Sequence, residues 1–147
     1  MKNVTLYTDG ACSGNPGVGG WGCVLIYRGT KKEFSGAEDN TTNNRMELFA
    51  TIAGLRRLKE PCAVDLYSDS AYVTNAFLQG WISAWKLNGW RGADKKEIKN
   101  LDLWTQLDEL CNKHKVTWHK VKGHADNEFN NRCDKLATTA VKEFKKK

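Results

Sequence analysis

The polar and apolar residues of the amino-terminal third alternate with a period of two, which predicts β-strands. Residues 4–9 alternate between two faces and end at an acidic residue, and residues 21–27 and 31–36 form two further strand patterns joined at Arg28-Gly29. Residues 10–20 between the first two strands contain five glycines and a proline, a composition typical of turns. Three strands with short links predict an antiparallel meander.

The rest of the chain has helical spacing of its apolar residues, interrupted by two more strand patterns. Leu48, Ile52 and Leu55 form the apolar stripe of the first predicted helix, which Asn43 or Asn44 can cap. Helices are predicted at about 43–58, 70–78, 81–87, from Asn100 as the cap through Leu110, and at about 127–144, and strands at 64–68 and 116–121. The last helix is expected to bury Phe129, Cys133, Leu136 and Ala140.

The order of elements is βββαβα, a helical insert, then βα. Strands that are separated by a helix favour parallel pairing, whereas the opening meander favours antiparallel pairing. We therefore predict an α/β fold with a mixed five-stranded sheet and helices on its faces. At 147 residues the chain is expected to form a single domain over 1–147.

Composition indicates which cellular compartment and which binding partners to expect. Lysine and arginine outnumber aspartate and glutamate by 23 to 17, which favours contact with a polyanion. The chain has no signal-peptide core and no stretch near the ~20 apolar residues of a membrane span. Its five cysteines are scattered and odd in number, a pattern that disfavours a disulfide framework or a zinc site. We expect a cytoplasmic monomer without membrane contact.

Four acidic residues stand out by their position. Asp9 and Asp69 end predicted strands, Glu47 lies in the first turn of a helix, and Asp134 lies near the start of the last helix. Ligands of open α/β sheets gather outside the carboxyl ends of the strands. Clustered carboxylates are costly unless a hard divalent cation neutralises them, and oxygen-only ligands favour Mg²⁺ or Mn²⁺. The alternative is that each acid is a helix cap or a surface charge.

The residues around these acids form a series of specific motifs. They are Thr8-Asp9-Gly10, Gly14-Asn15-Pro16-Gly17, Gly19-Gly20-Trp21-Gly22, Thr41-Thr42-Asn43-Asn44-Arg45-Met46-Glu47, Ser68-Asp69-Ser70-Ala71-Tyr72-Val73, Val121-Lys122-Gly123-His124-Ala125 and Asn131-Arg132-Cys133-Asp134. In order and spacing they resemble bacterial type 1 ribonuclease H from about Val4 to Val141. The resemblance implies a ribonuclease H-like fold.

The resemblance also implies an endonuclease that hydrolyses the RNA strand of an RNA–DNA hybrid and leaves 5′-phosphate and 3′-hydroxyl ends. The four acids would bind two Mg²⁺ ions, with Mn²⁺ as a substitute. Asp9 would bridge both ions, Asp134 would complete the site of the attacking water, and Glu47 and Asp69 would hold the ion facing the leaving 3′-oxygen. His124 resembles a loop histidine of the family that moves protons or helps to release the cleaved phosphate.

Contacts to the two strands of the hybrid follow from the same resemblance. The RNA strand would meet short side chains in the minor groove, at Cys12, Asn15, Asn43 and Asn44. The DNA strand would meet a phosphate contact at Thr42 and a basic protrusion at about 81–99, with Trp81, Trp85, Lys86, Trp90, Arg91, Lys95, Lys96 and Lys99. Asn15 can equally be a turn residue, Asn43 a helix cap, and Trp81 and Trp85 core residues. Ala71 stands where relatives often carry glutamine.

Other functions have to be distinguished from this one. A non-catalytic hybrid-binding module would be signalled by the loss of an acid, yet all four are present. An integrase, transposase or junction resolvase of the same fold would space its acids differently. A ribonuclease domain cut from a reverse transcriptase would be part of a longer chain.

Overall fold

The chain forms five strands and five helices in a computed structural model that describes residues 1–122 and 127–147. The strands are β1 Lys2–Ser13, β2 Gly17–Tyr27, β3 Thr30–Thr41, β4 Cys62–Ser68 and β5 Lys115–Lys120. The helices are α1 Asn43–Leu55, α2 Ala71–Leu78, α3 Trp81–Leu87, α4 Leu101–Lys113 and α5 Glu128–Lys145. No helix in these described ranges is long and apolar enough to cross a membrane.

The five strands form one mixed sheet in the order β3-β2-β1-β4-β5. β1 pairs with β2 and β2 with β3 in antiparallel fashion, whereas β4 is parallel to both β1 and β5. The predicted meander and the predicted parallel pairing of the later strands are both confirmed. The α/β fold is therefore the one that the order of elements predicts.

The core lies between the sheet and α1, with α2 and α4 beside it. Leu6 of β1, Leu48 and Ile52 of α1 and Leu66 of β4 are fully buried there. Trp104 of α4 is 1% exposed and packs among the same helices. α5 covers the opposite face, where it contacts β1, β2 and β3. Because side chains alternate along a strand, each strand of this meander supplies one face to α1 and the other to α5.

The glycine-rich segment is mostly strand, so the prediction of a turn over residues 10–20 was wrong except at residues 14–16. A Cβ at Gly10 would lie 2.5 Å from the backbone nitrogen of Glu47, and a Cβ at Gly22 would lie 2.6 Å from the carbonyl oxygen of Cys133. The glycines let two helices lie directly on the strands. Glycine is required at these positions because two backbones approach each other closely, not because the chain turns there.

Two helix starts differ from the prediction. The cap of α1 is Thr42, whose hydroxyl accepts a hydrogen bond from the Arg45 backbone N–H at 3.3 Å, so neither Asn43 nor Asn44 caps it. Asn100 occupies the position before α4, but its side chain makes no capping hydrogen bond because its backbone is left-handed, with φ 62°. Its side chain turns instead toward α1 and α2.

The buried stripe of α5 is also displaced from the prediction. Asn130, Cys133, Ala137 and Val141 are its buried residues, whereas Phe129, Leu136 and Ala140 are half-buried. The reason is that the backbone of α5 meets Gly20 and Gly22 of β2 at Ala137 and Cys133, and this contact fixes which side of the helix faces the sheet.

Candidate active site and nucleic-acid interface

Three acidic side chains meet at one edge of the sheet. Thr8 of β1 pairs with Ser68 of β4, so Asp9 and Asp69 lie side by side just beyond the last paired residues of these two parallel neighbours. The first strand was predicted to end at Asp9, but β1 continues to Ser13 because it remains paired with β2. Glu47 lies one turn into α1, which rests on Gly10. One oxygen from each of Asp9, Glu47 and Asp69 lies within 4.8 Å of the other two. The distant sequence positions therefore converge as predicted for these three acids.

The backbone N–H of Gly10 holds two of the acids. It donates to Asp9 Oδ1 at 2.9 Å and also to Glu47 Oε1. Asp9 and Glu47 are each only 6% exposed. The ion pairs found within residues 1–122 and 127–147 involve none of the three acids. Their negative charge is therefore not balanced by a lysine or arginine of the described chain.

Burial shifts the ionisation of this pair. Desolvation raises the pKa of Asp9 from 3.8 to about 7, and the negative charges of Asp69 and Asp134 act in the same direction. Burial, followed by the charge of Asp9, raises the pKa of Glu47 well above its usual value. Carboxylates this close and this dry ionise fully only when a cation joins them. The donor set, which is oxygen alone, fits a hard divalent cation.

The fourth acid, Asp134, lies beside this cluster rather than inside it. Its neighbour Cys133 places a carbonyl oxygen against Gly22, and Gly22 is the register partner of Asp9. Asp134 itself is exposed, and its charge contributes to the raised pKa of Asp9. The site is thus a tight trio with a separate carboxylate on one flank.

His124 lies outside the described residues. The described chain on its amino-terminal side is anchored where the Val121 backbone N–H donates to the Ser68 carbonyl oxygen at 2.9 Å.

The predicted minor-groove residues lie together beside the start of α1. Asn15 Oδ1 accepts a hydrogen bond from the Asn43 backbone N–H at 2.9 Å, and Asn43 and Asn44 are exposed. Cys12 is half-buried, with Sγ 3.4 Å from the Thr41 carbonyl oxygen. One pocket is lined by Asn15, Thr42, Asn43, Asn44, Lys99 and Asn100. The structure therefore joins the predicted RNA-strand residues to the end of the basic protrusion.

The basic protrusion is α3 and the loop that follows it, residues 81–99. Ile82 is buried, and the Trp85 ring meets the Trp104 ring edge-on with centroids 5.4 Å apart. Trp81 is 38% exposed at the surface. The two tryptophans therefore differ in their surroundings. Trp85 is largely a packing residue, as the core alternative predicts, whereas Trp81 has an exposed ring that a nucleic acid can reach.

The loop of the protrusion has a defined backbone. The Trp90 N–H donates to the Trp85 carbonyl oxygen at 2.6 Å, and the Gly92 N–H donates to that of Lys96 at 3.0 Å. Trp90 and Lys95 have left-handed backbones, with φ 62° and 64°. Two cationic side chains of the protrusion have partners within the protein. Lys86 Nζ lies 3.3 Å from Asp108 Oδ2, and Arg91 Nη1 donates to the Lys95 carbonyl oxygen at 3.4 Å.

Three lysines of the protrusion remain available for a polyanion. Lys95, Lys96 and Lys99 are exposed and form no ion pair with any other residue that the structure describes. They lie on the loop whose last residue lines the pocket at the start of α1. Cations that are not neutralised within the protein retain their full attraction for phosphates.

Comparison with known proteins decides the family. The sequence profile described as RNase H matches residues 1–142. The chain belongs to the RNase H family. A ribonuclease H of Acetivibrio thermocellus is 64% identical over 147 residues, with 100% of both chains covered.

Solved structures agree with this assignment to the RNase H family. LC9-RNase H1, described as a type 1 RNase H with the type 2 active-site motif, superposes with a TM-score of 0.86 at 29% identity, over 97% of this chain and 74% of that one. LC11-RNase H1, solved in complex with an RNA/DNA hybrid, shares the fold with a TM-score of 0.72 at 23% identity, over 96% and 98% of the two chains.

Proposed function

We propose that this RNase H hydrolyses the RNA strand of RNA–DNA hybrids endonucleolytically and leaves 5′-phosphate and 3′-hydroxyl ends. The observation that carries the proposal is the trio of carboxylates within 4.8 Å, two of them buried, at the sheet edge. A basic surface with an exposed tryptophan lies on the same molecule and suits a nucleic acid. Membership of the family supports both the reaction and the substrate.

The acids Asp9, Glu47, Asp69 and Asp134 would hold two Mg²⁺ ions, for which Mn²⁺ can substitute. When bound, such a pair supplies activation of a water molecule and neutralisation of the leaving 3′-oxygen. Asp9 would hold the ions together with Glu47 and Asp69 of the trio, and Asp134 would add a ligand from the flank beside them.

Backbone hydrogen bonds hold two of these acids in place before any substrate binds. The Gly10 N–H fixes one oxygen of Asp9 and one of Glu47, so neither carboxylate has to be ordered when the hybrid arrives. Burial of both keeps water away and makes their ionised forms depend on a cation. His124 would move a proton at the reacting phosphate or help to release the product.

Each strand of the hybrid has its own set of proposed contacts. Cys12, Asn15, Asn43 and Asn44 would recognise the RNA strand through the 2′-hydroxyl, which both donates and accepts hydrogen bonds. Thr42 would contact a phosphate of the DNA strand, and the basic protrusion would lie along that strand. Its cations would neutralise phosphates, and Trp81 would pack on a deoxyribose.

We also propose that the protein acts as a monomeric single domain in the cytoplasm. All five cysteines are free, which is compatible with a reducing compartment.

The decisive experiment labels each strand of one hybrid in turn and follows cleavage with and without Mg²⁺. We expect cuts in the RNA strand only, and only with the metal, and no cuts in duplex DNA of the same sequence. Asp9→Asn should abolish cleavage while hybrid binding stays nearly intact, because the protrusion is unchanged. Binding of the hybrid without cleavage of either strand by the unmodified protein would favour a non-catalytic module.

A further inference from the structure

Three aromatic side chains form a stacked row on the face of the sheet that also carries α5. Tyr7 of β1 pairs with Tyr67 of β4, and Tyr67 pairs with His119 of β5. The ring centroids of Tyr7 and Tyr67 lie 4.7 Å apart with 13° between the ring planes, and those of Tyr67 and His119 lie 4.4 Å apart with 12°. Each ring is therefore almost parallel to the next across three neighbouring strands.

The row ends at an open position. In the part of the chain that the structure describes, β5 is an edge strand, so no further strand lies beyond His119. The Asp65 side chain beside the row is 52% exposed, and that of His119 is 36% exposed. Because the rings are parallel, the second face of the His119 ring points away from Tyr67, past the edge of the sheet. A further flat ring can continue the row there.

A hydrogen bond fixes the last ring of the row. His119 Nε2 lies 2.8 Å from Asp65 Oδ1, on the neighbouring strand β4. An ionised carboxylate only accepts hydrogen bonds, so Nε2 carries the hydrogen atom, and the ring cannot rotate without losing this bond. The stacking surface is thus ordered before a ligand arrives, which lowers the entropic cost of binding.

The row lies next to the trio of acids. Side chains alternate along β1, so Tyr7 and Asp9 point to the same face of the sheet, two residues apart. Two residues of a strand span about 6.6–6.8 Å. Asp69 follows Tyr67 by the same interval in the sequence and meets Asp9 in the trio. An RNA strand that lies at the acids therefore passes close to this row.

The edge of the sheet at β5 also carries positive charge. Lys115, Lys120 and Lys122 are exposed, and none of them forms an ion pair with another residue in 1–122 or 127–147. Proteins that bind single-stranded nucleic acid combine such cations, which attract phosphates, with aromatic rings on which bases stack. A fixed flat ring beside unpaired lysines is suited to an unpaired nucleotide.

We propose that the outer face of His119 is a stacking site for an unpaired base of the RNA strand, in a single-stranded tail that continues from the hybrid being cut. This inference rests on the proposed hybrid cleavage. The RNA strand lies at the acids, on the same face as the row. The DNA strand lies along the basic protrusion, which packs against α2 and α4 on the other side of the sheet. Stacking is tolerant of base identity, so the site favours a tailed substrate without selecting its sequence.

The test compares a blunt hybrid with the same hybrid carrying a short unpaired RNA tail at its 5′ end or at its 3′ end. Both are bound to the Asp9→Asn protein, so that neither is cut. We expect an RNA tail at one of the two ends to lower Kd about fivefold, the lower limit of base–aromatic stacking. 2-Aminopurine in that tail should lose fluorescence on binding. A tail on the DNA strand should give no gain.

Three further changes, each added to Asp9→Asn, examine the ring itself. His119→Ala should abolish both the gain in affinity and the loss of fluorescence. The ratio of Kd for tailed and blunt hybrids is compared, so a general effect on hybrid binding cancels. Thr117→Ala is the matched control and should leave the ratio unchanged, because Thr117 is exposed on the same face of β5 but outside the row. His119→Phe restores a ring without the bond to Asp65 and should keep most of the gain, which separates loss of the ring from loss of folding.

An RNA tail that leaves Kd unchanged at both ends, or a gain that survives His119→Ala, would overturn the inference. A gain from the DNA tail as large as that from the RNA tail would also overturn it, because the site would then not belong to the RNA strand. The proposed function is tested separately with the unmodified protein. Failure of that protein to cut the RNA of the blunt hybrid in Mg²⁺ would overturn the function, whereas the Kd ratios do not depend on cleavage.

Discussion

Asp9 is the residue at which stability and function conflict most directly. Its side chain is 6% exposed, yet it has two other acids within 4.8 Å. A buried carboxylate without a cation costs free energy of folding, because the charged form is poorly solvated and is repelled by its neighbours. A site of this kind is stabilised by the ligand that it is built to bind.

Replacement of Asp9 by asparagine should therefore stabilise the metal-free protein at neutral pH. The pKa of Asp9 is raised from 3.8 to about 7, so the native state binds more protons than the unfolded state between these values. Stability then falls as pH rises from about 4 to about 7 and stays low above that range. Asp9→Asn removes this loss.

Thermal unfolding in EDTA at pH 4 and pH 8 checks this prediction. Asp9→Asn should melt several degrees above the unmodified protein at pH 8 and close to it at pH 4. Asp134→Asn is the control, with a smaller gain because Asp134 is exposed. A lower melting temperature for Asp9→Asn at pH 8 would show that the acids are not crowded.

A second residue-scale prediction concerns Lys95, whose φ of 64° is left-handed. Lys95→Gly should raise the free energy of unfolding by roughly 0.5–1 kcal/mol, because that backbone region costs a non-glycine residue about 1–2 kcal/mol and glycine's extra freedom when unfolded offsets part of the gain. Lys96→Gly, at a neighbouring position without a positive φ, should give no gain. Urea unfolding of both variants measures the difference, and equal effects would disprove it.

At the scale of elements, the contact of α5 with β2 decides where Asp134 lies. Gly22 has no side chain, so the backbone of α5 can rest on the strand with the Cys133 carbonyl oxygen 2.6 Å from where a Cβ would be. Any side chain at position 22 would push α5, and Asp134 with it, away from β2 and from Asp9, which pairs with Gly22. The packing of α5 on β2 therefore also determines the position of Asp134, a proposed metal ligand.

Gly22→Ala should accordingly lower both stability and activity. We expect a loss of about 1–3 kcal/mol in the free energy of unfolding, the usual cost of overpacking a tight contact. Cleavage should fall further than stability explains, since α5 carries Asp134. Gly92→Ala is the control for stability only, because Gly92 lies in the basic protrusion; its nearest neighbour is Asp94 Oδ1 at 3.0 Å, the end of an exposed side chain. Unfolding curves and cleavage rates above 90% folded protein separate the two effects.

The elements also show how far local sequence information reaches. The stripe of α1 was predicted correctly, because Leu48, Ile52 and Leu55 repeat with the helical period and all are buried. In α5 the same method chose Leu136 and Ala140 over Ala137 and Val141. Periodicity does not identify which side of α5 faces the sheet, because that depends on where the helix backbone meets Gly20 and Gly22.

At the scale of the whole molecule, charge is divided between an acidic notch and a basic protrusion. The net charge is +6, yet the three acids of the trio have no cationic partner among the described residues. A polyanion is attracted by the protrusion and would be repelled by an empty notch. Binding of the cation and of the hybrid should therefore favour each other.

Neutralising the protrusion should reduce the salt dependence of hybrid binding. Lys95→Gln with Lys96→Gln should lower the slope of log affinity against log salt by about 1–2, since each phosphate contact contributes roughly 0.9. Lys113→Gln is the control, because Lys113 is exposed and far from the acids. The next residue, His114, accepts a hydrogen bond at Nδ1 from the backbone N–H of Cys62. Cys62 begins β4, whereas Asp69 follows the other end of that strand. Titrations at several salt concentrations measure the slopes, and equal slopes for all variants would remove the protrusion from the interface.

Local spacing determined the strands, most helices and the acid that follows β4, because side-chain alternation and helical repeat are properties of neighbouring residues. It did not predict that β1 continues past Asp9 to Ser13. The motifs around those acids were sufficient to indicate the family. Only the tertiary structure decided that Asp9 and Glu47 are buried together, that Gly10 and Gly22 serve close packing, and that Asn100 joins α1 to α2. These facts depend on which elements meet, and contacts between residues that are far apart in the sequence leave no periodic signal in it.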